Sequence, residues 1–149
     1  MSTDVSALAA LHKAAFVNER PWRAEEFASL LASPHVFVAI IGGTTAPLAF
    51  ALGRAVAGEA ELLTLACAPQ HQGHGNGRAA LAAFEAEARA RAATDAFLEV
   101  AEDNTPALRL YTRAGYAEAA RRRAYYHRQG APAADACLMR RQLTPQHRG

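Results

Sequence analysis

Gln72-Gly73-His74-Gly75-Asn76-Gly77-Arg78 is the stretch whose reading decides the fold. An apolar run, Leu62-Leu63-Thr64-Leu65-Ala66-Cys67-Ala68, leads into it and closes at Pro69. An alanine-rich pattern with helical spacing follows, from Arg78 to about Ala93. The order is therefore strand, glycine loop, helix. Glycines at 73, 75 and 77 remove the side chains that would hold a ligand off the backbone. Successive N–H groups can then turn inward, and the helix start adds unpaired N–H groups with a partial positive charge. Such a loop suits an anion, and a pyrophosphate best. No Gly-Lys-Ser/Thr follows, and the glycine spacing is not Gly-x-Gly-x-x-Gly, so neither of those phosphate loops fits.

Downstream lies a second constellation. Ala96-Phe97-Leu98-Glu99-Val100 reads as a strand with a carboxylate inside an apolar run. Phe97 and Glu99 share one face of it, and Leu98 and Val100 the other. Thr105-Pro106 reads as a helix start, with Thr105 as N-cap and Pro106 at the first helical position. That helix runs to Ala114 and stops at Gly115. Asn104, Leu108 and Tyr111 lie at i, i+4 and i+7, so they project from one side of the helix and its entry. A strand carboxylate and a tyrosine on the next helix can converge on one cleft. A carboxylate and a phenol brought together in a cleft can act as base and acid in proton transfer. Glu99 is the candidate base, with partial burial raising its basicity. Tyr111 is the candidate acid. The competing structural readings are a Glu99 paired with an arginine, a Tyr111 in the core with its hydroxyl at the surface, and an Asn104 that only makes a turn.

The spacing Gln-x-x-Gly-x-Gly from Gln72 to Gly77, after Leu-Ala-Cys-Ala-Pro, resembles the acetyl-coenzyme A-dependent N-acetyltransferases of the GNAT superfamily. Leu98-Glu99-Val100, Asn104-x-x-Ala107-x-x-x-Tyr111, Gly115-Tyr116 and Arg121-Arg122-Arg123-Ala124-Tyr125-Tyr126 resemble its RimI-type members, which acetylate N-terminal alanines of ribosomal proteins. The likeness covers nearly the whole chain and is strongest from Glu61 to Tyr126. It implies acetyl-coenzyme A as co-substrate and no metal. It further implies Glu99 as base, Tyr111 as acid, Asn104 against the cofactor arm, and Gln72, Gly73, His74, Gly75, Asn76, Gly77 and Arg78 around the pyrophosphate. In the resembled fold the fourth and fifth strands splay apart, and the pantetheine arm lies along the fourth. Here those are Glu61–Ala68 and Ala96–Val100, with main-chain groups at Leu65, Ala66 and Cys67 binding the amides. The chain departs from the pattern at Asn76, where a bulky apolar residue is usual, and at Cys67, where valine or similar is usual. The first forty residues match least.

The remainder fills in an α/β (α+β) fold. Val5–Phe16 and Ala24–Leu31 carry apolar residues at helical spacing. Val36–Ile41 and Leu48–Arg54 read as a hairpin, and Tyr116–Tyr126 and Ala134–Leu143 as two more strands. The expected architecture is a central, mostly antiparallel sheet of about six or seven strands with helices on both faces. The glycine-loop helix is expected to bury Leu81, Phe84 and Ala88 and to carry the pairs Glu85/Arg89 and Glu87/Arg91 on its wet side.

At 149 residues the chain is expected to be one domain, residues 1–149, and cytoplasmic, since it shows no signal-peptide pattern and no membrane-length apolar run. Cys67 and Cys137 are expected to be buried free thiols. A net charge of +2 gives no reason to expect nucleic acid as a partner. Arg121–Arg123 reads as a solvated strand edge before it reads as a ribosome-binding patch. His71 and His74 lack a convergent third ligand. Trp22 reads as a packing anchor ahead of a substrate contact, and Tyr125 and Tyr126 as sheet cover or the lining of a peptide groove. A monomer is expected. For the acceptor, an α-amine of pKa ~8 is roughly 10% neutral at pH 7 and a lysine roughly 0.04%, which favours a protein N-terminus for a modest base. A small-molecule amine, a lysine, or a coenzyme A sensor without turnover are the alternatives.

Overall fold

The computed structural model describes residues 3–16, 20–71, 73–128 and 130–143. Helix α1 (Val5–Ala15) starts at Asp4, whose Oδ1 accepts the Ala7 N–H at 3.0 Å. Helix α2 (Ala24–Leu31) follows, then strands β1 (Val36–Gly42), β2 (Pro47–Val56) and β3 (Glu59–Cys67). A short turn at Pro69–His71 leads through the glycine loop to α3 (Asn76–Ala90), β4 (Asp95–Ala101), α4 (Thr105–Arg113), β5 (Ala117–Arg128) and β6 (Ala131–Gln142).

The six strands form one sheet in the order β1-β2-β3-β4-β6-β5. Every neighbouring pair is antiparallel except β3 and β4, which the α3 crossover makes parallel. Alternation along the strands sorts side chains into two cores. Ala49, Ala51, Leu62, Leu98, Val100, Cys137 and Met139 meet Leu81, Phe84 and Ala88 of α3 and Tyr111 of α4 on one side. Phe50, Leu52, Ala66 and Ala68 meet Leu8, Leu11 and Phe27 of the first two helices on the other.

One irregularity shapes the middle of the sheet. Leu52 pairs with Thr64 and Gly53 with Leu62, so Leu63 is an extra residue in β3. Such a bulge bends its strand and adds twist. The parallel ladder to β4 ends at the same place, with Leu62 against Leu98. Beyond it β3 stays tied to β2 as far as Cys67, and β4 stays tied to β6 as far as Ala101. The two strands therefore part while each remains anchored on its outer side, and the expected splayed pair is present.

Candidate active site

The gap opens along Leu63–Cys67 of β3, where β4 no longer supplies backbone partners. Leu65, Ala66 and Cys67 all lie on this edge. Their main-chain N–H and C=O groups on the β4 side can pair with an extended chain lying in the gap. At the head of the gap stands the glycine loop. Gly73 and Gly75 adopt φ of +87° and +80°, and a Cβ on either would meet nothing within 4 Å. Conformation, not crowding, calls for glycine at both. Gly75 is the N-cap of α3, and no side chain caps that helix. The positive end of a 15-residue helix therefore lies at the loop. The Gly77 N–H lies toward the Cys67 thiol, whose pKa burial raises and this N–H partly lowers again. His74 and Arg78 are exposed and Asn76 half-buried at the loop's end. Gln72 lies outside the described residues.

On α4 the N-cap is Asn104, not Thr105. Asn104 Oδ1 accepts the Ala107 N–H at 3.3 Å, and Thr105 and Pro106 are the first and second helical residues. Asparagine is the better cap of the two, which decides between adjacent candidates. This cap commits one side-chain atom of the residue expected to touch the cofactor arm. Tyr111 is 7% exposed, edge-on to Tyr116 with ring centroids 6.1 Å apart. Burial, and then the nearby Tyr126 phenol, hold its hydroxyl well above the usual tyrosine pKa, so it stays protonated.

Glu99 lies on the opposite face of β4 from Leu98 and Val100, and therefore from the face that packs against Tyr111. It is partly exposed and forms an ion pair of 3.0 Å with Arg122 of β5. Arg122 in turn lies over the Tyr125 ring, 5.2 Å from its centroid. The two candidates for proton transfer thus lie on opposite sides of the sheet.

The remaining candidates fall into place around this centre. Tyr125 is exposed and meets half-buried Tyr126 edge to face at 5.2 Å. Arg128 lies over Tyr126 and holds Asp103 of the β4–α4 turn through two hydrogen bonds of 2.9 and 3.0 Å. Trp22 packs against His12 and Phe27, and its backbone N–H donates to His12 Nδ1 at 3.3 Å. It also lines an open depression of about 460 Å³ with Arg20, Glu25, Glu26, Ser29 and Leu30, none of which comes from β3, β4 or α4. Arg121 is held by Glu102, Glu118 and Asp135, so the arginine run presents less free charge than its sequence suggests. Among the described residues, no three His, Cys, Asp or Glu side chains gather where a metal could sit, and no helix is long and apolar enough to cross a membrane. Both cysteines are free, Cys137 buried and Cys67 only partly so.

Glu85 is not on the wet side of α3 with Arg89: it is 6% exposed, accepts the Tyr116 hydroxyl at 2.9 Å, and pairs with Arg141 at 2.8 Å. Glu87 and Arg91 do pair on the surface, at 2.7 Å.

Parted strands with a glycine loop beside them agree with the resemblance drawn from the sequence, and residues 5–116 match the acetyltransferase (GNAT) family. The chain belongs to it. Over 142 residues it is 38% identical to the N-alpha-acetyltransferase RimI of Mycobacterium tuberculosis, covering 93% of this chain and 86% of that one. Its structure is similar to that of the ribosomal-protein-S18-alanine N-acetyltransferase of Escherichia coli, with a TM-score of 0.86, 29% identity, and 99% and 92% of the two chains covered. A chain of the NatC complex bound to Gag peptide and CoA has the same fold, at a TM-score of 0.79 and 18% identity over 97% and 93% of the chains. This GNAT protein is an acetyl-coenzyme A-dependent N-acetyltransferase.

Proposed function

We propose that this acetyltransferase modifies the α-amino group of a protein N-terminus, by direct attack while both substrates are bound. The observation that supports the reading is the placement of Glu99 and Tyr111 on opposite sides of the sheet whose β3 and β4 part after Leu62 and Leu98. The thioester would enter along β3 with its pyrophosphate at the N–H groups of the glycine loop, from Gln72 to Arg78, and Asn104 beside the arm. The amine would arrive from the Glu99 side. The neutral amine attacks the thioester carbonyl, and its proton passes to Glu99, directly or through one water. The C–S bond breaks, and the Tyr111 hydroxyl gives its proton to the leaving thiolate. Tyr125 and Tyr126 border the acceptor's path, and Trp22 serves packing first.

An α-amine of pKa ~8 is roughly 10% neutral at pH 7, against roughly 0.04% for lysine, so a carboxylate base suits the N-terminus better. The relatives support the same acceptor: one is named an N-alpha-acetyltransferase, and another acetylates the alanine of ribosomal protein S18. A ribosomal-protein N-terminus is therefore the acceptor to try first. The test is thiol release from acetyl-coenzyme A with short peptides bearing free or blocked N-termini, beside spermidine and a lysine peptide. Turnover confined to free N-termini supports the proposal. Turnover confined to spermidine or the lysine peptide overturns the acceptor and keeps the chemistry. Coenzyme A binding without turnover on any amine points to a sensor.

A further inference from the structure

Arg122 is the one side chain that an ion pair brings onto Glu99 among the described residues, and its own placement is built rather than incidental. Between Arg122, paired with Ala136, and Tyr126, paired with Ala134, β5 carries two residues more than β6. The excess is taken up at Ala124, which adopts a left-handed φ of +51° and donates its N–H to Asp135 Oδ1 at 2.8 Å. A bulge of this kind re-aims the side chains that follow it. Here Tyr125 comes back over the Arg122 guanidinium, 5.2 Å from the ring centroid, and is itself braced by Tyr126. Arg121 and Arg128 are engaged by other carboxylates, Glu102, Glu118 and Asp135 for the first and Asp103 for the second. Among the described residues, Arg122 is the arginine that pairs with the candidate base.

We infer that Arg122 is a positioning residue for the reaction. It takes Glu99 Oε1 and leaves Oε2 to meet the amine or its bridging water. The Arg122 side chain is 62% exposed, so water screens its charge and the pair adds little to stability. Its effect is one of direction. A carboxylate free to rotate spends less time in the one orientation that accepts the proton. This inference rests on the reading of Glu99 as the base.

The experiment compares steady-state kinetics of wild type, Arg122→Ala, Arg122→Lys, Glu99→Gln and the double variant Glu99→Gln/Arg122→Ala, with acetyl-coenzyme A and the best N-terminal peptide. Arg122→Ala is expected to lower kcat about tenfold while KM for acetyl-coenzyme A stays unchanged, and Arg122→Lys to recover most of it. In the Glu99→Gln background the same Arg122→Ala change is expected to cost less than about twofold, because its target is gone. An undiminished tenfold cost in that background overturns the inference, and so does an Arg122→Ala enzyme with kcat unchanged or raised. A Glu99→Gln enzyme as active as wild type fails the base assignment itself. That outcome is separate from one in which Glu99 matters and Arg122 does not.

Discussion

Glu99 and Tyr111 lie on opposite sides of one sheet, because β4 turns Glu99 away from the core into which α4 sends Tyr111. The two proton transfers of the proposed reaction are thereby kept apart. In that proposal the side facing Glu99 would receive the amine, and the buried side would protonate the thiolate. The chemistry predicts that Tyr111→Phe lowers kcat about a hundredfold or more, in the range of general-acid contributions. The ring against Tyr116 is retained, so the thermal midpoint should move little. Steady-state rates beside thermal unfolding check both parts, and a fully active Tyr111→Phe enzyme removes Tyr111 from proton delivery.

The loop glycines should respond with different signs. Gly75→Ala must hold an alanine at φ +80°, which costs about 1–2 kcal/mol. It should lower both the unfolding midpoint and the affinity for coenzyme A. Gly77 lies inside α3, and a Cβ there would meet Leu110 and Leu65 at ordinary distances of 3.6 and 3.9 Å. Gly77→Ala should therefore stabilise the fold by about 0.5 kcal/mol, through helix propensity. Its methyl packs on Leu110 and Leu65, so coenzyme A affinity should stay unchanged in this variant. Calorimetric titration with coenzyme A separates the two variants. Unchanged affinity in Gly75→Ala would place the pyrophosphate elsewhere.

What was readable from sequence is what local chemistry dictates. Glycines at 73, 75 and 77 announced a loop between strand and helix, and the alternation through Leu98-Glu99-Val100 put the carboxylate opposite the apolar residues. The bulge at Leu63 was hidden, because Leu62, Leu63 and Leu65 are apolar in either phase of the strand. Glu85 was misread for a different reason. Its spacing to Arg89 mimics a surface pair, while its real partners stand 31 and 56 residues away in sequence. The pairing of Glu99 with Arg122 is equally non-local, joining β4 to the edge strand through a fold that must form first.

The buried cluster of Glu85, Tyr116 and Arg141 gives a stability test of its own. Burial, then the Glu85 carboxylate, push the Tyr116 phenol far above its usual pKa, so it stays a donor. Glu85→Ala leaves a guanidinium and a buried hydroxyl without their acceptor, and should destabilise by about 3 kcal/mol. Replacing all three groups together, Glu85→Leu with Tyr116→Phe and Arg141→Leu, removes the need for pairing and should come within about 1 kcal/mol of wild type. Urea unfolding of the two proteins decides it. A triple variant no more stable than Glu85→Ala would mean that the cluster specifies packing that leucine and phenylalanine cannot replace.

His12 makes the attachment of the first two helices sensitive to acid. His12 is 2% exposed, stacked on Trp22 and set against Phe16 and the edge of Phe27, and its Nδ1 accepts the Trp22 N–H. Burial lowers its pKa from 6.5 to about 4, against an opposing pull from Glu26 and with a small push from Arg20. The native state keeps His12 neutral down to that value, whereas the unfolded chain takes up the proton near 6.5. Between the two the unfolded state binds more protons, so stability falls as pH falls. The contribution is whole above pH 6.5 and lost by about pH 4, and amounts to about 3 kcal/mol at most. His12→Gln keeps an acceptor for Trp22 but cannot take up this proton. Urea unfolding at pH 7 and pH 4.5 should show wild type losing about 2 kcal/mol more than the variant, since carboxylate titrations are common to both and cancel. Equal losses would mean that the His12 ring reaches water before the chain unfolds, and that α1 opens locally first.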